Sequence, residues 1–308
     1  MSKKIYDVAI IGCGPAGMTA AIYAARAGLN VLMLDKGAPG GQMINTYEVE
    51  NYTGFDKISG PDLSMKMFDH TQKLAVNYEY GNVVGLEVES EVKVVKTDDE
   101  DYLAKAVIIA TGTLNRRLGA KGEENLAGRG ISWCAICDGA FFREKAVIVV
   151  GGGNSALEEA LYLAGIAKKV TVVHRRQGFR ADKIVLDRAQ KHEKIQFELD
   201  AVIESFNEVN GKLGSVTIKN AITNEKKEII CDGAFIYIGQ DPVTSMFKED
   251  IKLNPQGYII VNERMETNIK GVYAAGDVTE KELRQIITAT NDGAIAAQNA
   301  VKYLETLA

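Results

Sequence analysis

One short pattern occurs twice in this chain at the same internal spacing, and it restricts the fold more than any other feature. The apolar run Tyr6 to Ile11 leads into Gly12-Cys13-Gly14-Pro15-Ala16-Gly17. An alanine-rich stretch with helical spacing follows, Met18 to Ala27, and then a second apolar run, Asn30 to Leu34, closed by Asp35. Further on, Ala146 to Val150 leads into Gly151-Gly152-Gly153-Asn154-Ser155-Ala156, a helical stretch to about Ala164, and the run Val170 to Val173. Asp35 stands 23 residues after Gly12, and His174 stands 23 residues after Gly151. A lone glycine fingerprint is weak evidence, but strand, glycine turn, helix and strand in this order make a dinucleotide-binding unit. The glycines allow a tight turn and close approach of a pyrophosphate, which the helix N-terminus then favours. Where the first copy has an acid to accept ribose hydroxyls, the second has His174-Arg175-Arg176, with Arg180 close behind. Two dinucleotide sites of opposite ribose chemistry are predicted.

Each copy also closes alike, in Val107-Ile108-Ile109-Ala110-Thr111-Gly112 and Ala234-Phe235-Ile236-Tyr237-Ile238-Gly239. The chain after Gly239 is too short for a third domain, so it is expected to return to the first. The predicted fold is α/β, with two three-layer Rossmann-like domains. The first comprises 1–114 and 244–308, and the second, 115–243, is inserted into it; two domains also suit 308 residues. The hydrophobic share of 46% and charged share of 25% are those of an ordinary globular chain. Thirty glycines against five prolines suit tight turns around ligands more than flexible linkers. The net charge of −5 offers no basic field to nucleic acid, and no apolar run is long enough to span a membrane. Met1-Ser2-Lys3-Lys4 and the run to Ile11 are too short for a signal peptide. A cytoplasmic setting is expected.

Trp133-Cys134-Ala135-Ile136-Cys137-Asp138-Gly139 holds the one C-x-x-C. The spacing allows a disulfide, and a following helix start lowers a thiolate's pKa. Zinc would need about four ligands. Cys13 lies inside a phosphate loop, Cys231 borders a core strand, and the three histidines form no ligand pair. No metal is expected. A purely structural disulfide is disfavoured in the cytoplasm, which leaves redox catalysis. Cys13 and Cys231 read as small buried residues.

At this point several motifs together resemble the low-molecular-weight thioredoxin reductases of the pyridine nucleotide-disulfide oxidoreductase family. They are Gly40-Gly41-Gln42, Glu50-Asn51-Tyr52-Thr53-Gly54, the Cys134 to Gly139 segment, the second fingerprint with His174-Arg175-Arg176 through Phe179-Arg180-Ala181, and Gly276-Asp277 with Arg284-Gln285. The resemblance spans essentially the whole chain in order. It departs at Asn154, where many members have Asp, and at Thr53, where many have Pro; neither removes an expected catalytic group. The resemblance implies FAD in the first domain, NADPH in the second, a homodimer, and thioredoxin as acceptor. For FAD it implies Gly12, Gly14, Pro15, Ala16, Asp35, Lys36, Gly40, Gly41, Gln42, Asn51, Ala110, Thr111, Gly112, Gly276, Asp277, Arg284, Gln285 and Ile286. For NADPH it implies Gly152, Gly153, Asn154, Ser155, Ala156, His174, Arg175, Arg176, Arg180, Ile238 and Gly239. Cys137 is then expected to face the flavin, Cys134 to attack the thioredoxin disulfide, and Asp138 to serve as acid–base group; Asp138 also suits a helix N-cap. A helix from about Gln285 is expected to turn Ile286, Ala289, Gly293, Ala297, Ala300 and Leu304 inward, with its N-terminal N–H groups at Gln285 and Ile286 towards the flavin.

Rival functions leave other traces. Ferredoxin–NADP reductases lack the C-x-x-C, and the hydroperoxide-reductase relative carries an extra N-terminal domain for which 308 residues leave no room. Flavin-linked reductases and dithiol oxidases of this fold lose the NADPH signature. A nucleotide sensor needs no dithiol beside two cofactor sites. Another thioredoxin- or glutaredoxin-like partner remains the alternative acceptor. Because the dithiol and the NADPH residues share a domain while the FAD residues lie in the other, rotation between half-reactions is expected.

Overall fold

The first strand, β1 (Ile5–Ile11), buries Val8, Ala9, Ile10 and Ile11 on both faces, as a central strand of a covered parallel sheet must. The computed structural model describes residues 4–46 and 49–307; Met1-Ser2-Lys3 of the leader question lie outside them. The chain divides into two compact units. One is Met1–Ile44, Tyr52–Leu114 and Asp241–Ala308; the other is Asn45–Asn51 and Asn115–Gln240.

In the first unit β1 is followed by α1 (Pro15–Arg26), β2 (Val31–Asp35), α2 (Gly60–Lys73), β3 (Asn77–Tyr80), β4 (Val83–Glu87), β5 (Lys93–Thr97) and β6 (Asp101–Ile109). Ser59 caps α2 by accepting the Asp62 N–H at 3.1 Å, and Pro61 occupies a first-turn position that needs no donor. β3, β2, β1 and β6 run parallel, Val8 opposite Val31 and Ala106. β4 and β5 continue the sheet antiparallel along the first half of β6.

The crossover strand β7 (Thr113–Asn115) then enters the second unit. There follow β8 (Ile131–Ser132), α3 (Ala135–Asp138), β9 (Ala146–Gly151), α4 (Asn154–Ala164), β10 (Lys169–Val173), α5 (Lys183–Lys191) and β11 (Ile195–Glu198). A meander of β12 (Ala201–Val209), β13 (Lys212–Asn220) and β14 (Lys226–Ile230) precedes β15 (Gly233–Tyr237), and β16 (Gln240–Pro242) returns, pairing with β7. The parallel sheet runs β11-β10-β9-β15-β8. Helices α4 and α5 cover one face around Leu157, Ala160 and Leu163, and the meander covers the other around Phe206, Val216 and Ile218. That makes three layers.

Back in the first unit, β17 (Val272–Ala274) pairs in parallel with the second half of β6, and α6 (Ile286–Glu305) closes the chain. Phe247, Ile251 and Ile259 join Leu32, Leu34 and Val107 in one core face. α6 lies against α1 so closely that a Cβ on Gly293 would stand 2.2 Å from the Ala16 carbonyl oxygen. Each unit is a three-layer α/β domain of the Rossmann-like kind.

Candidate active site and cofactor cradles

In the first unit the fingerprint loop is built by close backbone approaches. Gly12 has φ +107°, and a Cβ there would lie 2.3 Å from the Ala110 carbonyl oxygen. Gly14, which precedes Pro15 and Ala16 at the start of α1, has open space where its Cβ would be. The first N–H groups of a helix have no partner within it, so this end presents free donors over an open cradle. The Gly40 N–H donates to the Cys13 carbonyl at 2.7 Å, which brings Gly41 beside Gly14. Gln42 Nε2 donates to the Thr113 carbonyl at 3.1 Å. Asp35 accepts the Cys13 N–H at 2.6 Å through Oδ2 and the Gly37 N–H at 2.9 Å through Oδ1. The carboxylate therefore clasps the loop while each oxygen keeps acceptor capacity for ribose hydroxyls. Exposed Lys36 follows it. Burial, with Asp35 adding, pushes the Cys13 thiol well above its ordinary pKa, and burial pushes Cys231 up to about 12; both are packing residues.

The far end of the chain is brought to the same place. Ala275 donates its N–H to the Ile109 carbonyl at 2.9 Å, and a Cβ on Gly276 would stand 2.9 Å from that of Ala16. Ala110 is bonded back to Ile11 at 2.7 Å, and Thr111 Oγ1 donates to the Val243 carbonyl at 2.7 Å, with Gly112 next to it. Asp277 Oδ1 is enclosed and has no hydrogen-bond partner; burial raises this carboxyl's pKa against the pull of Lys281 and Arg284. Arg284 lies over the Tyr258 ring at 4.4 Å. The Gln285 N–H, expected to face the flavin, is committed to Thr288 Oγ1 at 3.1 Å in a capping box, so the donors of this helix end fall to Ile286 and the residue after it. Asn51 is exposed and lies in the segment Asn45–Asn51 grouped with the second unit.

The second fingerprint repeats the geometry. A Cβ on Gly151 would lie 2.5 Å from the Tyr237 carbonyl oxygen, whereas Gly153 faces open space. Asn154 opens α4 ahead of Ser155 and buried Ala156, and exchanges hydrogen bonds with Asp182 at 2.7 and 2.9 Å. His174 is buried at 8% exposure, stacks on Phe179 at 4.8 Å, and donates from Nε2 to the Gly178 carbonyl at 3.1 Å. Its ring fills the space a Gly152 side chain would need, so this histidine shapes the loop from within. Arg175, Arg176 and Arg180 are exposed, and the Arg180 N–H ties their loop to the Gly152 carbonyl at 2.8 Å. Ile238 and Gly239 follow β15, where Gly239 accepts the Arg116 N–H at 3.0 Å.

In the same unit Cys134 and Cys137 are joined as a disulfide across the start of α3. The Cys137 N–H points at Cys134 Sγ, 3.2 Å away. Ser132, which no motif singles out, accepts the Cys134 N–H at 3.0 Å and donates to Asp138 Oδ2 at 2.5 Å. Asp138 Oδ1 is enclosed without a partner, and burial raises the carboxyl's pKa while the Ser132 bond lowers it. Asp138 occupies the N-cap position of the 3-10 turn Gly139–Phe142 but its side chain makes no capping hydrogen bond; the α3 N-cap is Cys134. Tyr237 reaches over from β15 and accepts the Ala135 N–H at 2.6 Å. Behind it, burial pushes Glu159 up to about 7, with Glu158 adding. The disulfide thus sits on a short helix whose N-cap and first N–H groups are held by hydroxyls, with a carboxyl able to hold a proton beside it.

A family model described as pyridine nucleotide-disulphide oxidoreductase matches residues 6–293. The chain is 52% identical over 305 residues to the thioredoxin reductase of Bacillus subtilis (strain 168), covering 99% of this chain and 96% of that protein. Among solved structures, the thioredoxin reductase from Streptococcus pyogenes MGAS5005 is 50% identical and superposes with a TM-score of 0.95 over 99% of this chain and 100% of that one. The Lactococcus lactis thioredoxin reductase in its FR conformation is 48% identical, with a TM-score of 0.69 over 98% of this chain and 99% of that one.

Proposed function

Since the chain belongs to the pyridine nucleotide-disulphide oxidoreductases, we propose that it is the member that reduces the thioredoxin disulfide with NADPH through FAD and the Cys134–Cys137 pair. The observation that carries this reading is the disulfide beside an enclosed, unpartnered carboxyl oxygen of Asp138, in a chain with two open glycine cradles. FAD fits the first unit: Gly14 leaves room, Asp35 keeps acceptor sites, and the free Asp277 oxygen lacks the donor that a cofactor hydroxyl supplies. NADPH fits the second: the exposed guanidiniums of Arg175, Arg176 and Arg180 suit a 2′-phosphate, with Gly152, Gly153 and the start of α4 beneath the pyrophosphate. When bound, the flavin supplies the two-electron link between nicotinamide and disulfide.

The protein's own groups complete the exchange. In the reduced pair, the Cys134 thiolate attacks one sulfur of the acceptor disulfide and forms a mixed disulfide, expelling the other sulfur as thiolate. Asp138, whose burial favours the protonated form, gives that thiolate a proton. The Asp138 carboxylate takes the proton of Cys137, which then attacks Cys134 Sγ, restores the internal disulfide and expels the second acceptor sulfur as a thiolate that takes a proton from solvent. Two enzyme thiols are oxidised and one acceptor disulfide is reduced. The Cys137 N–H and the α3 N-terminus stabilise the Cys134 thiolate meanwhile. A homodimer and a cytoplasmic setting belong to the same reading, on the family resemblance and the absence, among the described residues, of a helix long and apolar enough to cross a membrane.

The decisive experiment is NADPH oxidation with a panel of oxidised thioredoxins and glutaredoxins. Turnover with thioredoxin is expected. Turnover only with glutaredoxin-like proteins would transfer the activity to that partner, and none with any disulfide would favour a nucleotide sensor.

A further inference from the structure

The loop bearing Gly276 and Asp277 rests on a buried ion pair that neither fingerprint required. Lys281 Nζ meets Asp292 Oδ2, with the two side chains at 14% and 9% exposure. The same Asp292 oxygen accepts the Gly276 N–H at 3.0 Å. Asp292 lies on the inward face of α6, which is otherwise small and apolar at Ala289, Gly293 and Ala296. A carboxylate in that position without a cation is strongly unfavourable, so its presence calls for Lys281. Three charged groups act on Asp277: Lys281 and Arg284 favour its ionised form, and Asp292 opposes it. One fixed pair therefore holds the Gly276 backbone and acts electrostatically on the adjacent Asp277, whose enclosed Oδ1 awaits a donor.

We propose that Lys281 and Asp292 are positioning residues for the flavin cofactor: the pair locks the Gly276–Asp277 loop onto α6 and keeps the free Asp277 oxygen an acceptor for a cofactor hydroxyl. The proposal rests on the assignment of FAD to the first unit. It predicts that removing each residue moves the pH of FAD release in opposite directions, which loss of a purely structural ion pair would not do.

The test follows FAD release from the holoprotein, by flavin fluorescence on dilution from pH 5 to pH 9, with far-UV circular dichroism confirming the fold at each pH. Lys281→Met is expected to loosen FAD about tenfold or more at neutral pH and to move the acid release of FAD to higher pH, because Asp277 then protonates earlier. Asp292→Asn should move the release to lower pH, since the repelling carboxylate is gone and Lys281 turns to Asp277 alone. The double variant should return the profile towards wild type, and Lys281→Arg should largely preserve it. If Lys281→Met does not fold, the downward shift in Asp292→Asn and the retention in Lys281→Arg decide the matter. Folded variants whose release profiles stay in place, or all move the same way, would overturn the role given to the pair. A wild-type protein that holds no FAD would instead overturn the cofactor assignment, and the proposal with it.

Discussion

Asp138 has one oxygen answered by Ser132 and one enclosed with nothing to bond, an arrangement that favours the neutral acid. Its pKa is raised in the folded state, so ionising it costs the fold stability as pH rises from the unfolded carboxyl's range near ~4 towards the native value. Asp138→Asn should abolish that alkaline loss, seen as a flatter pH profile of unfolding, and should lower turnover of the acceptor disulfide by about 10²-fold or more in rapid-reaction kinetics. A variant with full turnover would remove Asp138 from proton transfer. At the other cofactor site, replacing Arg175 and Arg176 by Ala should raise the KM for NADPH by roughly tenfold to a hundredfold per lost charge-assisted bond and leave that for NADH nearly unchanged. Equal effects on both would show that these arginines do not read the 2′-phosphate. The chemistry-bearing residues were legible because their types announce themselves at fixed spacings: a cysteine pair, an acid or arginines after a strand. Ser132, Tyr237, Lys281 and Asp292 were not. Ser132 acts through a local turn to the Cys134 N–H that no motif announces, Tyr237 through the Ala135 N–H brought near by strand pairing, and the Lys281–Asp292 pair forms only when α6 folds back on its preceding loop.

At the scale of elements, the tightest junction is α6 against α1. The expected inward face at Ala289, Gly293, Ala297, Ala300 and Leu304 is buried, with Ile286 only partly so, and Asp292 is a buried residue whose spacing suits that face but whose charge argued for the outside. Gly293→Ala sets two effects against each other. Alanine gains up to about 1 kcal/mol in helix propensity, but its Cβ would stand 2.2 Å from a backbone carbonyl oxygen that cannot swing aside. Overpacking of that kind costs about 1–3 kcal/mol or more, so the steric term wins. A Tm lowered by several degrees is expected in thermal denaturation, whereas Gln298→Ala on the exposed side should change it little. A Gly293→Ala protein as stable as wild type would mean the helices separate easily. Both glycine-bounded βαβ units were readable because parallel strands buried on both faces give unbroken apolar runs. The meander β12 to β14 was not, because its outer strand is nearly all exposed, with Lys226, Lys227, Glu228 and Ile230 facing water, and carries no apolar alternation to announce it.

For the whole molecule, the division of labour between the units imposes a sequence of events. The disulfide and the arginines for NADPH belong to one unit, and the cradle assigned to FAD belongs to the other. Electron transfer into and out of the flavin each requires reacting groups at roughly 3–3.5 Å. Two bulky groups carried by one unit cannot both hold that position, so on the proposed function the units are predicted to exchange arrangements during turnover. The chain passes between the units at 44/45, 51/52, 114/115 and 240/241, and the paired strands Thr113–Asn115 and Gln240–Pro242 at the last two are the expected hinge. A reversible disulfide cross-link engineered between the units, away from every residue assigned to a cofactor, should therefore stop NADPH-dependent reduction of the acceptor without releasing FAD. Cys13 and Cys231 are both buried, so exposed engineered cysteines can be linked selectively. Activity should return when the link is reduced, read by stopped-flow before and after. Full turnover in a protein verified as cross-linked would show that both half-reactions proceed in one arrangement, and the rotation would have to be abandoned.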